Sequence, residues 1–158
     1  MKTTIRPYKQ KDKSSCLDAF KSNVPLYFTE TEIADFENFL QRLDYLQYES
    51  QPKKTYFFVV AYDQKVIGCG GFGDKENKGI ISLAWGFIHK DHHKRGFGKE
   101  LLLYRLKQIE RLFPGLPVVL DTTQFSYPFF EKHGFYTTKV TKNFYAEGMH
   151  RYDMMLKS

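Results

Sequence analysis

The residues His93-Lys94-Arg95-Gly96-Phe97-Gly98-Lys99 carry the densest chemistry in the chain. Lys94, Arg95 and Lys99 place mobile positive charge around two closely spaced glycines. A leucine-rich run to Leu112 starts directly behind them, with Leu102, Leu106, Ile109 and Phe113 near one helical face. The first amides of a helix have no partner inside it and point outward at the positive end of its dipole. Glycine lets a ligand approach the backbone and permits φ > 0. A strand ending at Ile88, then this loop, then a helix is therefore an anion site, and a phosphate or pyrophosphate is its expected occupant.

The spacing excludes two nucleotide loops. G-x-x-x-x-G-K-[ST] fails because the glycines are two apart and Glu100 follows Lys99. G-x-G-x-x-G fails because position 101 is leucine. The pattern [R/Q]-x-x-G-x-G/A does fit at His93 to Gly98, and here the chain resembles the GNAT family of N-acetyltransferases. A second segment, Phe129-Phe130-Glu131-Lys132-His133-Gly134-Phe135, resembles the family's [FL]-Y-E-K-x-G-F. The closing stretch from Gly148 to Met154 is similar to the last strand of many members.

The resemblance implies acetyl transfer from acetyl-CoA to a primary amine by direct attack, with no covalent enzyme intermediate and no metal. It implies a pyrophosphate cradle at His93, Lys94, Arg95, Gly96, Phe97, Gly98 and Lys99, and a pantetheine arm beside Phe129 and Phe130. Backbone N–H groups at Phe87 and Ile88 are expected to face the oxyanion, where donors aimed at developing charge act. His93 stands where the family has arginine or glutamine. Phe130 stands where a tyrosine often protonates the leaving thiolate, and Tyr127 is the candidate replacement, three residues earlier on the same helical face. The strand from Ile80 to Ile88 carries no carboxylate, so a glutamate base on that strand is absent. On the acceptor side, Tyr27 and Phe28 with Glu30 and Glu32 suit a cationic amine, and Trp85 is a candidate wall. These departures leave a second reading open, a coenzyme A-binding sensor or scaffold with the same fold and little turnover.

The elements that must position these groups follow from the pattern. A strand is expected from Thr3 to Tyr8, and Asp12 is expected to cap a helix running to about Asn23. Thr29-Glu30-Thr31-Glu32 has the capping-box form ahead of a helix with Ile33, Phe36, Phe39, Leu40 and Leu43 on one stripe. Gln51 to Lys54 reads as a turn. Thr55 to Tyr62 and Lys65 to Phe72 read as a hairpin around Asp63-Gln64. Gly73 to Asn77 is a further turn, and a strand from Lys78 to Ile88 feeds the glycine loop. Gly68, Gly70 and Gly71 suggest close approach to the third strand, and Gly86 a bulge that splays the sheet. After the long helix come strands at Val118 to Asp121, Phe135 to Val140 and Met149 to Lys157, with a short helix after Pro128. The order predicts an α+β fold in one domain over residues 1–158. In the GNAT resemblance this is a central mixed, mostly antiparallel sheet of about seven strands, splayed near its middle, with helices on both faces.

With 158 residues the chain can bury one substantial core, and 17% aromatic content argues against disorder. The net charge of +6 lies on scattered lysines with no run of five like charges, so a nucleic-acid partner is not expected. Cys16 and Cys69 form no disulfide framework or metal pair. His89, His92 and His93 lack the spacing and companion ligands of a metal site. No apolar leader or membrane-length span occurs, so a cytoplasmic protein without a membrane partner is expected. The expected partner is a small-molecule or peptide amine, and the protein a monomer or homodimer.

Overall fold

The computed structural model describes residues 2–46, 55–74 and 76–158. The expected turn at Gln51 to Lys54 lies outside them, and so does part of the turn at Gly73 to Asn77. Seven strands form one sheet in the order β1-β2-β3-β4-β5-β7-β6. They are β1 (Thr3–Pro7), β2 (Thr55–Tyr62), β3 (Lys65–Gly73), β4 (Ile81–Ile88), β5 (Val118–Thr122), β6 (Phe135–Ala146) and β7 (Met149–Leu156). Helices α1 (Lys13–Ser22) and α2 (Glu32–Leu46) cover one face, and α3 (Phe97–Leu112) and α4 (Tyr127–Lys132) the other. The order of elements matches the expected one. The strand expected from Lys78 starts only at Ile81, and β6 runs six residues beyond its expected end at Val140.

Two-sided burial follows from the period-2 alternation of strands. Phe57 and Val59 of β2 join Cys16, Phe20, Phe36 and Leu40 under α1 and α2. Phe58 of β2 and Phe72 of β3 join Leu102, Ile109, Leu120 and Phe135 under α3. The β2–β3 hairpin turns on Asp63 and Gln64, both with positive φ (53° and 71°), as its two-residue turn requires. The close approach signalled by the β3 glycines comes from the protein itself: a Cβ on Gly71 would lie 2.2 Å from the Tyr56 carbonyl oxygen.

All neighbouring strands run antiparallel except β4 and β5, which are parallel and joined by the α3 crossover. That parallel pair holds at only two positions, Ile81 with Val118 and Ser82 with Val119, and then the strands part. On its other side β4 carries a bulge. Cys69 pairs with Phe87 and Gly71 with Ala84, so Gly70 alone faces both Trp85 and Gly86. Trp85 has φ 50°. The extra residue reverses which face each β4 side chain meets. Ile81 and Leu83 pack on the α3 side, whereas Trp85 and Phe87 pack under α1 and α2, and Ile88 returns to the α3 side.

Asp12 does not cap α1 with its side chain. Its carboxylate takes both Arg6 guanidinium nitrogens (2.8 and 2.9 Å) and the Lys9 N–H (2.9 Å), clamping the 3-10 turn Gln10–Asp12 to β1. Burial raises the Asp12 pKa, but the Arg6 and Lys9 bonds outweigh it and hold the carboxylate below its usual value. A depressed carboxylate contributes stability above its unfolded pKa of about 3.9 and loses it as pH falls through the folded value. Asp12→Ala is therefore expected to cost about 2 kcal/mol at pH 7. The difference from wild type should shrink below about pH 4 in urea melts followed across pH.

Candidate active site

The fork between β4 and β5 opens into a cavity of about 660 Å³. At its mouth lies the glycine loop. Lys94 (φ 61°) and Gly96 (φ 88°) are both left-handed, which turns the backbone so that α3 begins at Phe97. The first helical bond is Glu100 N–H to Gly96 O at 3.0 Å. Among the described residues no acceptor belongs to the amides of Arg95, Gly96, Phe97, Gly98 or Lys99, and no side chain caps the helix. Gly98 faces the cavity, and a Cβ there would meet only Phe129 Cζ, at 3.9 Å. Unpartnered amides at a positive helix end, with Lys94 and Lys99 beside them, suit an anion.

The loop before the cradle is pinned by its own side chains. His93 Nε2 meets the Ile88 carbonyl oxygen at 2.8 Å, and Asn23 Nδ2 donates to the same oxygen at 3.0 Å. Lys90 N–H donates to Ser22 Oγ at 3.0 Å. His93 thus ties the end of β4 to the loop, while its ring still lines the cavity against Tyr27. Burial and then Arg95 lower the pKa of His92.

Most of the residues singled out in the sequence line one cavity: Phe87, Ile88, His93, Lys94, Gly96, Gly98, Lys99, Phe129 and Phe130, together with Tyr27, Phe28, Glu32 and Trp85. Four do not. The Arg95 guanidinium turns away over the Tyr62 and Phe97 rings, 5.4 and 5.6 Å from their centroids. The Phe97 side chain is buried among Val60, Ile67 and Ile88, so only its backbone is at the cradle. Glu30 is exposed on the turn before α2. Tyr127 stacks flat on Tyr152, with centroids 4.2 Å apart, because the α4 start lies over β7. Glu32 has two roles: Oε1 accepts from the Thr29 N–H and hydroxyl (2.9 and 3.0 Å), which is the glutamate half of the expected capping box, since the Glu32 N–H goes to the Thr29 carbonyl, and the residue also lines the cavity.

Asp121, Tyr145 and Arg105 line the cavity as well, and sequence reading did not assign them to it. Asp121 leaves the end of β5 just past the last β4 pair and is 42% exposed into the cavity. Tyr145, from the unexpected extension of β6, donates its hydroxyl to Asp121 Oδ2. Burial, then this bond, push the Tyr145 phenol well above its usual pKa, so it stays protonated and donates. Arg151 lies 3.9 Å from Asp121 Oδ1 and bonds Asp153 at 2.9 Å, offsetting two carboxylates that sit directly opposite on β5 and β7. A carboxylate at the carboxyl end of a strand beside a switch point is a general signal for a site. Nothing in the sequence alternation announced Tyr145.

The third is Arg105, in the middle of α3 and 4% exposed. Nη1 donates to Gly71 O at 3.2 Å, and fully buried Nε has no partner among the described residues. Burial lowers its pKa to about 10, opposed by Cys69, so it stays cationic at neutral pH. Desolvating such a charge costs several kcal/mol. Spacing from Leu101 and Ile109 put it on the core face, which was the available signal.

A second hollow, about 540 Å³, follows only the outer face of α2 around Asn38, Arg42 and Tyr45. No helix among the described residues is long and apolar enough to cross a membrane.

Comparison with known proteins agrees with this geometry. Residues 26–158 match the family model described as an acetyltransferase (GNAT) domain. No curated protein sequence matches the chain. Among solved structures, a ribosomal-protein-alanine N-acetyltransferase from Brucella melitensis superposes with TM-score 0.77 at 15% identity, covering 96% of this chain and 98% of that one. The PaiA N-acetyltransferase from Thermoplasma acidophilum, in complex with coenzyme A, gives 0.75 at 18% identity over 100% of both chains. The ribosomal-protein-S18-alanine N-acetyltransferase from Escherichia coli gives 0.74 at 15% identity, over 98% and 93%. At these identities the likeness is one of fold.

Gly98→Val tests the cradle. The substitution meets only a van der Waals contact and should leave the melting temperature within a few degrees of wild type, but it fills the approach to the amides. At a coenzyme A concentration of about 100 Kd, wild type gains about 2.7 kcal/mol. A tenfold weaker variant gains about 1.4 kcal/mol, which thermal shift and calorimetry would resolve.

Proposed function

Since this chain belongs to the GNAT family of N-acetyltransferases, we propose that residues 1–158 form one acetyltransferase domain that passes the acetyl group of acetyl-CoA to a primary amine by direct attack. One observation carries this reading. A fork in the sheet has unpartnered helix amides at its mouth and an exposed carboxylate, Asp121, across its interior.

In this reading the amides from Arg95 to Lys99, with Lys94 and Lys99, hold the pyrophosphate of acetyl-CoA. The parted edge of β4 receives the pantetheine arm, with Phe129 and Phe130 as its apolar wall. Holding the thioester carbonyl in line with the amine supplies much of the rate. Backbone N–H groups at Phe87 and Ile88 are the candidate donors to the oxyanion. The acceptor enters from the α1–α2 side, between Tyr27, Phe28 and Trp85, where Glu32 and Asp121 favour a cationic amine.

Asp121 is the base in this scheme. A lysine-like amine has a pKa of about 10.4 and must shed a proton to react. It sheds that first proton to solvent. Once the neutral nitrogen has attacked the carbonyl it is positively charged, its two protons are far more acidic, and the carboxylate can take one of them. Tyr145 donates to Oδ2 and fixes the carboxylate, while Oδ1 lies 3.9 Å from Arg151, beyond hydrogen-bond distance. Tyr127, stacked on Tyr152, takes no part.

Free-thiol release from acetyl-CoA, followed across a panel of small-molecule and peptide amines, tests the activity. No amine-dependent release with any of them would overturn the reading. Asp121→Asn should lower kcat about 100-fold with little change in the KM for acetyl-CoA. Tyr145→Phe should cost less, about tenfold, because it loosens the base without removing it. An Asp121→Asn enzyme at full kcat would take the residue out of the chemistry.

A further inference from the structure

Arg105 is a cation buried in a core face, and the surrounding residues are shaped to admit it. A Cβ on Gly86 would lie 2.6 Å from Nη2, and one on Gly70 3.2 Å from Cζ. The guanidinium therefore fills the hollow left by two glycines on adjacent strands, at the bulge itself. Of its five donors, one hydrogen bond is formed among the described residues, to Gly71 O. The residue also lines the cavity, next to Gly86 and Leu101. A well-packed apolar side chain would be cheaper at such a position.

Its place along the fork identifies what it faces. α3 runs antiparallel to β4, so moving from the cradle at Phe97 to Arg105 leads back from Ile88 toward Gly86. Eight helical residues cover about 12 Å. An arm anchored by its pyrophosphate at the cradle and laid into the fork brings its thioester end to this depth. Asp121 enters the same depth from the other side of the sheet, since its β5 neighbours Val118 and Leu120 pack on the α3 side.

We propose that Arg105 is a positioning residue for the leaving group: held at the bulge between Gly70 and Gly86, its fixed charge stabilises the coenzyme A thiolate as the carbon–sulfur bond breaks. This rests on the acetyl-transfer reading of the same cavity. The acceptor nitrogen bonds to the carbonyl carbon. The carbon–sulfur bond breaks with its electron pair left on sulfur. The proton lost by nitrogen passes to Asp121 and then to solvent, and Arg105 exchanges none. A charge partner is needed because Phe130 in the wall has no proton to give and the Tyr145 hydroxyl is committed to Asp121. His92, His93, Lys94 and Lys99 lie at the mouth with the cradle, far from the sulfur. Glu32, Asp121 and Tyr145 face the interior from α2, β5 and β6 and oppose a thiolate. Cys69 is a free thiol packed with Cys16 under α1 and α2, across the sheet. Arg151 of β7 lies 3.9 Å from Asp121 Oδ1 and 2.9 Å from Asp153, so two carboxylates engage its charge. Arg105 is thus the cation at that depth without a carboxylate partner among the described residues.

The test is the titration of the coenzyme A thiol on the protein. Thiolate absorbance near 240 nm is followed against pH, with desulfo-coenzyme A as the blank for protein thiols and phenols. In wild type the bound thiol should titrate at least one pH unit below free coenzyme A, a roughly tenfold rise in thiolate fraction near neutrality. Arg105→Lys should keep at least half of the shift, and Arg105→Met should abolish it while lowering kcat more than tenfold at nearly unchanged KM for acetyl-CoA. A bound thiol that titrates like free coenzyme A in wild type would overturn the proposal even if Arg105→Met fails to fold. So would a shift that survives in a folded Arg105→Met. Absence of any coenzyme A binding would instead sink the reading of the whole cavity.

Discussion

One extra residue in β4 governs the geometry of this protein. Without the bulge at Trp85–Gly86, alternation would put Ile81, Leu83, Trp85 and Phe87 on one face. With it, the first pair packs under α3 and the second under α1 and α2. The bulge also bends β4 away just where β5 leaves it, after Ser82 and Val119. A parallel pair that ends after two positions leaves backbone edges open, and in a sheet interior such edges normally find partners. A ligand arm with amide groups is a natural partner for them. The left-handed backbone at Trp85 costs on the order of 1–3 kcal/mol. Its ring meets Phe20, Phe36 and Phe39 at 5.8, 5.2 and 6.0 Å, and each aromatic pair returns about 0.5–1.5 kcal/mol, enough to hold the bulge.

The fork then sorts charge by depth and by face. Lys94 and Lys99 stand at the mouth with unpartnered amides, where salt screens them more than it screens a buried charge and an anion can exchange with solvent. Deeper in, Arg105 comes through the α3 side, and the carboxylates of Glu32 and Asp121, the latter 3.9 Å from Arg151, through the other. Acetyl transfer to an amine needs that polarity, since nitrogen must lose positive charge while sulfur gains negative charge. Placing Asp121 and Arg105 on opposite sides of the parted sheet keeps them from neutralising each other, which a direct ion pair would do.

The parts of this arrangement that depend on local chemistry were legible in the sequence. The glycine loop, the helix behind it, the hairpin turn at Asp63-Gln64 and the capping box at Thr29 to Glu32 each rest on a backbone rule acting within a few residues. What depended on distant packing was not legible. Tyr145 escaped because β6 beyond Val140 is exposed on both faces and shows no apolar alternation. Asp12 bonds to Arg6 across a turn where propensity alone suggested a helix cap. Arg95 and Phe97 were grouped with the cradle by proximity in sequence, but successive residues in a tight turn point in different directions, and both side chains went to the β2 side. Arg105 carried a readable signal, helical spacing from Leu101 and Ile109, which was masked by the expectation that arginine is exposed.

A site made by removing side chains and parting strands must be compensated nearby, and the compensation here is aromatic. Phe20 contacts Phe28, Phe36, Trp85 and Phe87, and Phe28 contacts Phe87 in turn. The same cluster that holds the bulge supplies part of the cavity wall, since Phe28, Trp85 and Phe87 line it. Cavity shape and stability therefore rest on shared atoms. Replacing Trp85 with a smaller residue removes the contacts that offset the strain at the bulge, and relaxing the bulge would turn Gly86 away from Arg105. The cavity wall cannot be remodelled there without altering the far side of the sheet, because the one backbone irregularity serves both.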